Sequence, residues 1–371
     1  MRSTNYPSPL QLVGLLALAA SCRLPAQVSF LPPATYPTGQ SPAALAVADF
    51  DGDGRQDLAV ANSGSCSVSV LLGNGDGTFR PGADFLACGF SIAVGDLNGD
   101  GRQDVVTCGR STVEVLLGAG DGTFHPRAVY LAGDEGPYSV GVGDFTLDGI
   151  PDVVGSADGG IVLYVNPGDG RLLGRQFYRV PLGYYFYYPP DLGTLTVTDV
   201  DGDGLPDVLV GAMDIRFVYP SVIAVFFSPA FDYPTLYPTD SGLDVLLQVV
   251  AGDFNGDGAP DMATLTSASV VVLMNLENPM PIGPAGYRLH PADFDGDGNL
   301  DLAVRDADTV RILVGNGDGT FRPPAQFAAG PVTSGDQTLV AGDFNGDGKP
   351  DLATILSGDR VAVLINNSST P

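Results

Sequence analysis

Seven copies of one nine-residue pattern constrain what this chain can fold into more than any other feature. They read DFDGDGRQD from Asp49, DLNGDGRQD from Asp96, DFTLDGIPD from Asp144, DVDGDGLPD from Asp199, DFNGDGAPD from Asp253, DFDGDGNLD from Asp293 and DFNGDGKPD from Asp343. Positions 1, 3, 5 and 9 carry an oxygen side chain every time. Successive copies start 47, 48, 55, 54, 40 and 50 residues apart, so the 371 residues form one repeat array rather than the two or three domains that length alone suggests.

Short apolar runs flank each loop. In the first unit Ala44 to Ala48 runs into the loop, Leu58 to Ala61 leaves it, Val68 to Leu72 follows, and after the turn GNGDGTF at Gly73 an outgoing strand ends near Phe85. The second unit repeats this order with Ile92 to Gly95, Val105 to Cys108, Val113 to Leu117 and a strand ending at Leu131. Short runs of Val, Leu and Ala bounded by Gly and Asp are strand signals, and no apolar stretch keeps a helical period for long. The expected fold is all-β: a seven-bladed β-propeller with four strands per blade. Inner strands such as AALAVAD and TLVAGD are small and apolar on both faces, as strands crowded around an axis between blades must be.

The two ends of the array predict how the ring closes. The last unit stops after its third strand, Val361 to Ile365, while FLPPATY from Phe30 to Tyr36 matches FRPPAQF from Phe321 to Phe327, an outgoing strand. The N-terminal strand should complete blade seven and cover a sheet edge that would otherwise pair with another chain. Two irregularities interrupt the period. Eight of the 14 tyrosines lie between Gln176 and Tyr237, including the run YYFYYPP from Tyr184 to Pro190. Only 40 residues separate loops five and six, so the outer strand of blade five, around Pro281 to Tyr287, should be short or irregular.

Ahead of the array, Arg2 precedes an apolar run from Leu10 to Ala20, and Leu24, Pro25 and Ala26 lead into Gln27. Residues 1–26 read as a secretory signal peptide, leaving 27–371 as the propeller. The run is too short to span a bilayer, and no later segment qualifies as a transmembrane segment. An alternative takes Ala19, Ala20 and Ser21 before Cys22 as a lipoprotein box, with Cys22 as a lipid anchor. Both readings make the protein secreted or extracytoplasmic. A disulfide is permitted there, and among Cys66, Cys88 and Cys108 the pair expected is Cys88 with Cys108. With no CxxC pair and only His125 and His290, a zinc or redox site is disfavoured.

The loops carry the chemistry. Oxygens at positions 1, 3 and 5 of a tight turn converge on one point, and glycine at position 6 supplies the positive φ that bends the backbone inward. In the first loop the candidate ligands are Asp49, Asp51, Asp53 and Asp57, with the carbonyl of Arg55. The second offers Asp96, Asn98, Asp100, Arg102 and Asp104. The third offers Asp144, Asp148, Ile150 and Asp152, and is the weakest because Thr146 and Leu147 break the pattern. Asp199, Asp201, Asp203, Leu205 and Asp207 form the fourth; Asp253, Asn255, Asp257, Ala259 and Asp261 the fifth. The sixth comprises Asp293, Asp295, Asp297, Asn299 and Asp301, and the seventh Asp343, Asn345, Asp347, Lys349 and Asp351. An all-oxygen set suits calcium, up to seven ions, better than magnesium with its rigid hydrated shell or a softer metal.

Charge agrees with this assignment. Lys and Arg number 17 against 43 acidic residues, a formal charge of −26, and yet 44% of the chain is apolar, enough for a core. The loops hold 24 Asp, so most of the surplus is candidate ligand. Seven divalent ions would reduce the charge to about −12. The same surplus excludes nucleic acid and anionic membrane surfaces as partners. Asp-Gly turn formation alone accounts for one DGDG, but not for seven copies with Asp at position 9. The GNGDGTF turns at Gly73 and Gly315 lack that acid and read as hairpin turns.

This pattern, D-x-[DN]-x-D-G-x-x-D between two propeller strands with GNGDGTF turns, resembles the FG-GAP or VCBS repeats of integrin α-subunit propellers and of many secreted bacterial proteins. The resemblance covers about Val28 to Asn366. It implies calcium in the loops joining strands one and two on one rim, with ligand recognition on the opposite face, where the tyrosine-rich connection would fall. The function expected is a monomeric, calcium-stabilised adhesion or binding module for an extracellular protein or glycan, with Tyr184, Tyr185, Tyr187 and Tyr188 as candidates for stacking on sugars. A propeller-type polysaccharide lyase or hydrolase is the alternative. Neither His125 nor His290 has a nucleophile or carboxylate partner at a known motif spacing, so the chain is not expected to be an enzyme.

Overall fold

The computed structural model describes residues 27–369 apart from 110, 134–135, 158, 181–194, 213–220, 232, 240–245 and 333–337. The expected signal peptide, Cys22 and the run Tyr184 to Tyr188 lie outside the described residues. Within them the chain forms 28 strands and no helix, grouped as seven four-stranded antiparallel sheets. Each innermost strand touches those of the blades on either side, and the seventh touches the first, so the sheets form a closed propeller. No helix among the described residues is long and apolar enough to cross a membrane.

Blade one shows the shared anatomy, with strands Pro42–Ala48, Asp57–Asn62, Ser67–Gly73 and Phe79–Leu86. The second strand is buried along its whole length and the outermost is mostly exposed, because both faces of the middle strands pack on neighbouring blades. Close approach at the axis demands small residues. A Cβ on Gly141, in the innermost strand of blade three, would lie 2.4 Å from Val197 of blade four. The innermost strands also leave one edge without a sheet partner, and side chains of neighbouring blades satisfy it. The Ser91 hydroxyl accepts the Val140 N–H at 3.2 Å, Thr196 donates to the Val249 carbonyl and Thr338 to the Ala43 carbonyl. Gln248 brackets Leu289, donating to its carbonyl and accepting its N–H at 2.7 Å.

Ring closure follows the expectation. Ala34–Pro37 pairs antiparallel with Arg360–Leu364, placing Ala34 opposite Val363 and Pro37 opposite Arg360. A further bridge joins Phe30 to Asn366. Phe30 packs edge-on against Phe327 of blade six with ring centroids 5.0 Å apart, so the closing segment also fastens the neighbouring blade.

One expectation is met in part and one needs correction. The outer strand of blade five is irregular, as expected, with two register shifts, but it is not short: Glu277–Pro284 runs for eight residues. The residues saved come from the preceding turn, a two-residue hairpin at Asn275 and Leu276 with φ of 48° and 63°. The disulfide joins Cys66 to Cys88, not Cys88 to Cys108. Cys66 lies in the turn between the second and third strands of blade one, and its carbonyl accepts the N–H of Ala87 beside Cys88, so the bridge closes the end of that blade. Cys108 is a fully buried free thiol in the core between blades two and three, and burial pushes its pKa up.

Candidate metal centres

Every Asp loop joins the first and second strands of its blade, so all seven open on the same rim. The backbone of each is organised by its own carboxylates. The position 1 Asp accepts the N–H of position 6 at 2.8–2.9 Å in all seven loops, as from Gly54 to Asp49 and Gly348 to Asp343. The position 5 Asp accepts the N–H of position 7 at 2.8–3.0 Å, also in all seven. Positions 4 and 6 take positive φ, 74° at Gly52 and 82° at Gly54, which glycine adopts without strain. Loop three keeps the turn but forces Leu147 to φ 60°.

Positions 1, 3 and 5 converge. In the three loops with Asp at all three places, Asp49–Asp51–Asp53, Asp199–Asp201–Asp203 and Asp293–Asp295–Asp297, one carboxylate oxygen of each lies within 4.8 Å of the others. A carboxylate oxygen that accepts one amide keeps a second lone pair. Three such groups on one point form an all-oxygen set that fits a hard divalent cation. Where position 3 is Asn98, Asn255 or Asn345, the amide oxygen accepts the position 5 N–H at 2.9–3.0 Å, holding a neutral oxygen in the equivalent place.

The position 9 Asp occupies different surroundings. It is buried, 0% exposed at Asp57, Asp104, Asp152, Asp261, Asp301 and Asp351 and 1% at Asp207. One oxygen accepts an N–H from the head of the loop, from Phe50 to Asp57 at 2.8 Å and from Phe294 to Asp301 at 2.8 Å. The other accepts an N–H from the end of the third strand, as from Gly73 to Asp57 at 2.7 Å and from Asn366 to Asp351 at 2.7 Å. Position 9 thus ties loop, second strand and third strand together. Burial, opposed by these amide bonds, pushes the Asp57 and Asp351 carboxyls up to about 6 and Asp301 up to about 7.

Two arginines reach the loops from outside them. Arg80 pairs with Asp51 at 2.9 Å, and Arg322 bridges Asp295 at 3.0 Å and Asp297 at 3.2 Å. Both follow the phenylalanine that ends a GNGDGTF turn, a place filled by His125 in blade two and Leu31 in the closing segment. The only signal in the sequence is that Arg stands there where position 3 is Asp51 or Asp295, while His125 and Leu31 accompany Asn98 and Asn345.

The remaining predicted features fall into place around these loops. The GNGDGTF segments are hairpin turns, each Asp bonding the N–H of the following Thr, as Asp76 does for Thr78 at 3.0 Å. Their glycines also clasp the preceding blade: Gly77 donates to the Phe344 carbonyl, Gly122 to Phe50 and Gly319 to Phe254. Burial in an innermost strand lowers the His290 pKa to about 4. A cleft of about 630 Å³ opens on the loop rim between blades one and two, lined by Asp49, Gly52, Asp100, Arg102 and Gly120.

An FG-GAP-like repeat model matches residues 49–107, 96–154, 144–210 and 293–354. No curated protein matches the chain. Among solved structures, a lectin of Agrocybe aegerita that specifically recognises non-reducing terminal N-acetylglucosamine is 19% identical, with a TM-score of 0.52 over 76% of this chain and 79% of that one. BBS1N in complex with ARL6DN gives 0.61 at 11% identity over 91% and 96%. Virginiamycin B lyase from Staphylococcus aureus gives 0.57 at 10% identity over 91% and 99%. At such identities the likeness is one of fold alone.

Proposed function

The chain belongs to the FG-GAP-like repeat family, and from that premise we propose that it is a secreted or extracytoplasmic glycan-binding module whose propeller is held together by calcium in its Asp loops. The observation that carries the calcium reading is the convergence of three carboxylates in loops one, four and six, repeated in the same backbone frame around one rim. A bound calcium would neutralise carboxylates that otherwise repel one another within 4.8 Å. Asp49, Asp51 and Asp53, with their counterparts in the other loops, would hold it. The position 9 Asp would join only through an oxygen already engaged by an amide. Filling such sites stabilises the folded ring by mass action.

Glycan is the partner to test first, since a lectin is among the propellers of similar fold, and protein is the second reading, since BBS1N is another and is solved in complex with ARL6DN. An enzymatic role draws no support from the site, whose carboxylates are engaged in shaping their own loops. Melting temperature in millimolar calcium and then in chelator tests the first half of the proposal: calcium should raise it by several degrees, and no change would remove calcium from the proposal. A glycan array on wild type, Tyr185→Ala and Tyr187→Ala tests the second. Loss of binding in the variants assigns recognition to the tyrosine segment. Binding that survives in the variants removes the tyrosine segment from recognition, and no binding by wild type removes glycan as the partner.

A further inference from the structure

Resting on the calcium reading above, we infer that the loops are electrostatically unequal and that loop four, Asp199–Asp201–Asp203, is the tightest cation site of the ring. Three loops carry Asp at positions 1, 3 and 5, but two of them contain a cation supplied by the chain. In loop six the guanidinium of Arg322 spans Asp295 and Asp297, with its Nε also held by the Asn316 side chain at 3.1 Å. In loop one Arg80 holds Asp51 at 2.9 Å and Arg55 holds Asp53 at 3.2 Å. Each guanidinium offsets part of the charge that would attract a divalent ion and engages a carboxylate of the converging set.

Loops two, three, five and seven reach a similar charge by another route, because position 3 is Asn98, Thr146, Asn255 or Asn345 and contributes none. Loop four does neither. Position 3 is Asp201, position 7 is Leu205, and among the described residues no Lys or Arg forms an ion pair with Asp199, Asp201 or Asp203. The hairpin that brings Arg80 and Arg322 to their loops is absent from blade four, where the third strand Val222–Phe226 leads instead to Ser228, Pro229 and Phe231. Affinity in loops of this kind scales with ligand charge, and one full charge about 4 Å from the ion changes binding by roughly fivefold or more even at the dielectric of water.

The arginines are positioned as competitors of the ion. Arg322 takes two of the three converging carboxylates, so calcium entering loop six must displace or share them. The same contacts relieve repulsion in the calcium-free ring.

Isothermal titration of the full chain with calcium chloride decides the matter. Wild type should show one site at least fivefold tighter than the rest, lost in Asp201→Asn. Arg322→Gln should raise the number of tight sites to two, and Arg80→Gln should tighten a further site. Both arginine side chains are partly exposed, so these variants should fold, and their melting curves in chelator check this. An unchanged tightest site in Asp201→Asn overturns the ranking, and weaker binding in Arg322→Gln and Arg80→Gln overturns competition. If wild type binds no calcium at all, the calcium reading itself fails, a result distinct from a different order of filling.

Discussion

At the scale of single residues, identical side chains do different work according to the water around them. Asp49 and Asp57 both stand in the first loop, yet Asp49 is half-buried at its mouth while Asp57 is sealed beneath it with both oxygens on amides. The sequence shows two aspartates eight positions apart, and nothing in it separates a group at the converging mouth of the loop from one that staples strands. His290 is a second case in which burial decides behaviour. Its pKa is lowered from 6.5 to about 4 by desolvation, so between those values the unfolded chain binds a proton that the folded one does not. Stability therefore falls as pH drops through 6.5 and the loss levels off below about 4, amounting to about 3 kcal/mol at most. Urea unfolding in chelator at pH 7.5, 6, 5 and 4 should show a shallower acid loss for His290→Gln than for wild type. Parallel profiles would mean that the imidazole is hydrated in the folded ring.

At the scale of elements, the blades are fastened one to the next through the carbonyl of loop position 2. Gly77, Gly122 and Gly319 reach it with backbone amides, whereas blades three and seven, which lack the GNGDGTF turn, reach it with an asparagine. Asn166 donates to Leu97 at 2.6 Å and Asn366 to Phe294 at 2.9 Å. Asn366 is fully buried, donates also to Pro350 and accepts the Ser368 N–H at 3.0 Å. Asn366→Ala would leave those groups unpaired, and at about 1–3 kcal/mol for each unsatisfied group the expected loss is about 3 kcal/mol. Guanidinium unfolding measures it, and a loss below about 1 kcal/mol would show that the clasp adds little to strand pairing. Blade number, strand order and ring closure were legible in the sequence because each rests on a period or a matched segment, FLPPATY against FRPPAQF being the clearest. The clasp, the arginine contacts and the Cys66–Cys88 bridge were not. Each depends on where a hairpin brings residues that lie at least 22 positions apart, which spacing alone does not encode.

At the scale of the whole molecule, two kinds of repulsion act on one rim, and their ranges separate them. A formal charge of −26 with most of its aspartates on the loop side produces repulsion between neighbouring loops, across distances comparable with the Debye length in dilute salt. Within a loop, carboxylate oxygens sit within 4.8 Å, well inside that length at any ordinary ionic strength. Sodium chloride can therefore screen the first kind and not the second. In chelator, raising salt from about 10 mM to 150 mM shortens the Debye length from about 30 to about 8 Å and should raise the melting temperature by a few degrees. Calcium at 150 mM salt should add a further increase of at least the same size, because an ion seated among three carboxylates removes repulsion that screening does not reach. In calcium the dependence on salt should shrink by half or more. If sodium chloride alone reproduced the full gain, the loops would be responding to bulk charge and no seated ion would be required; a gain reserved to calcium ties the stability of the ring to its seven loops.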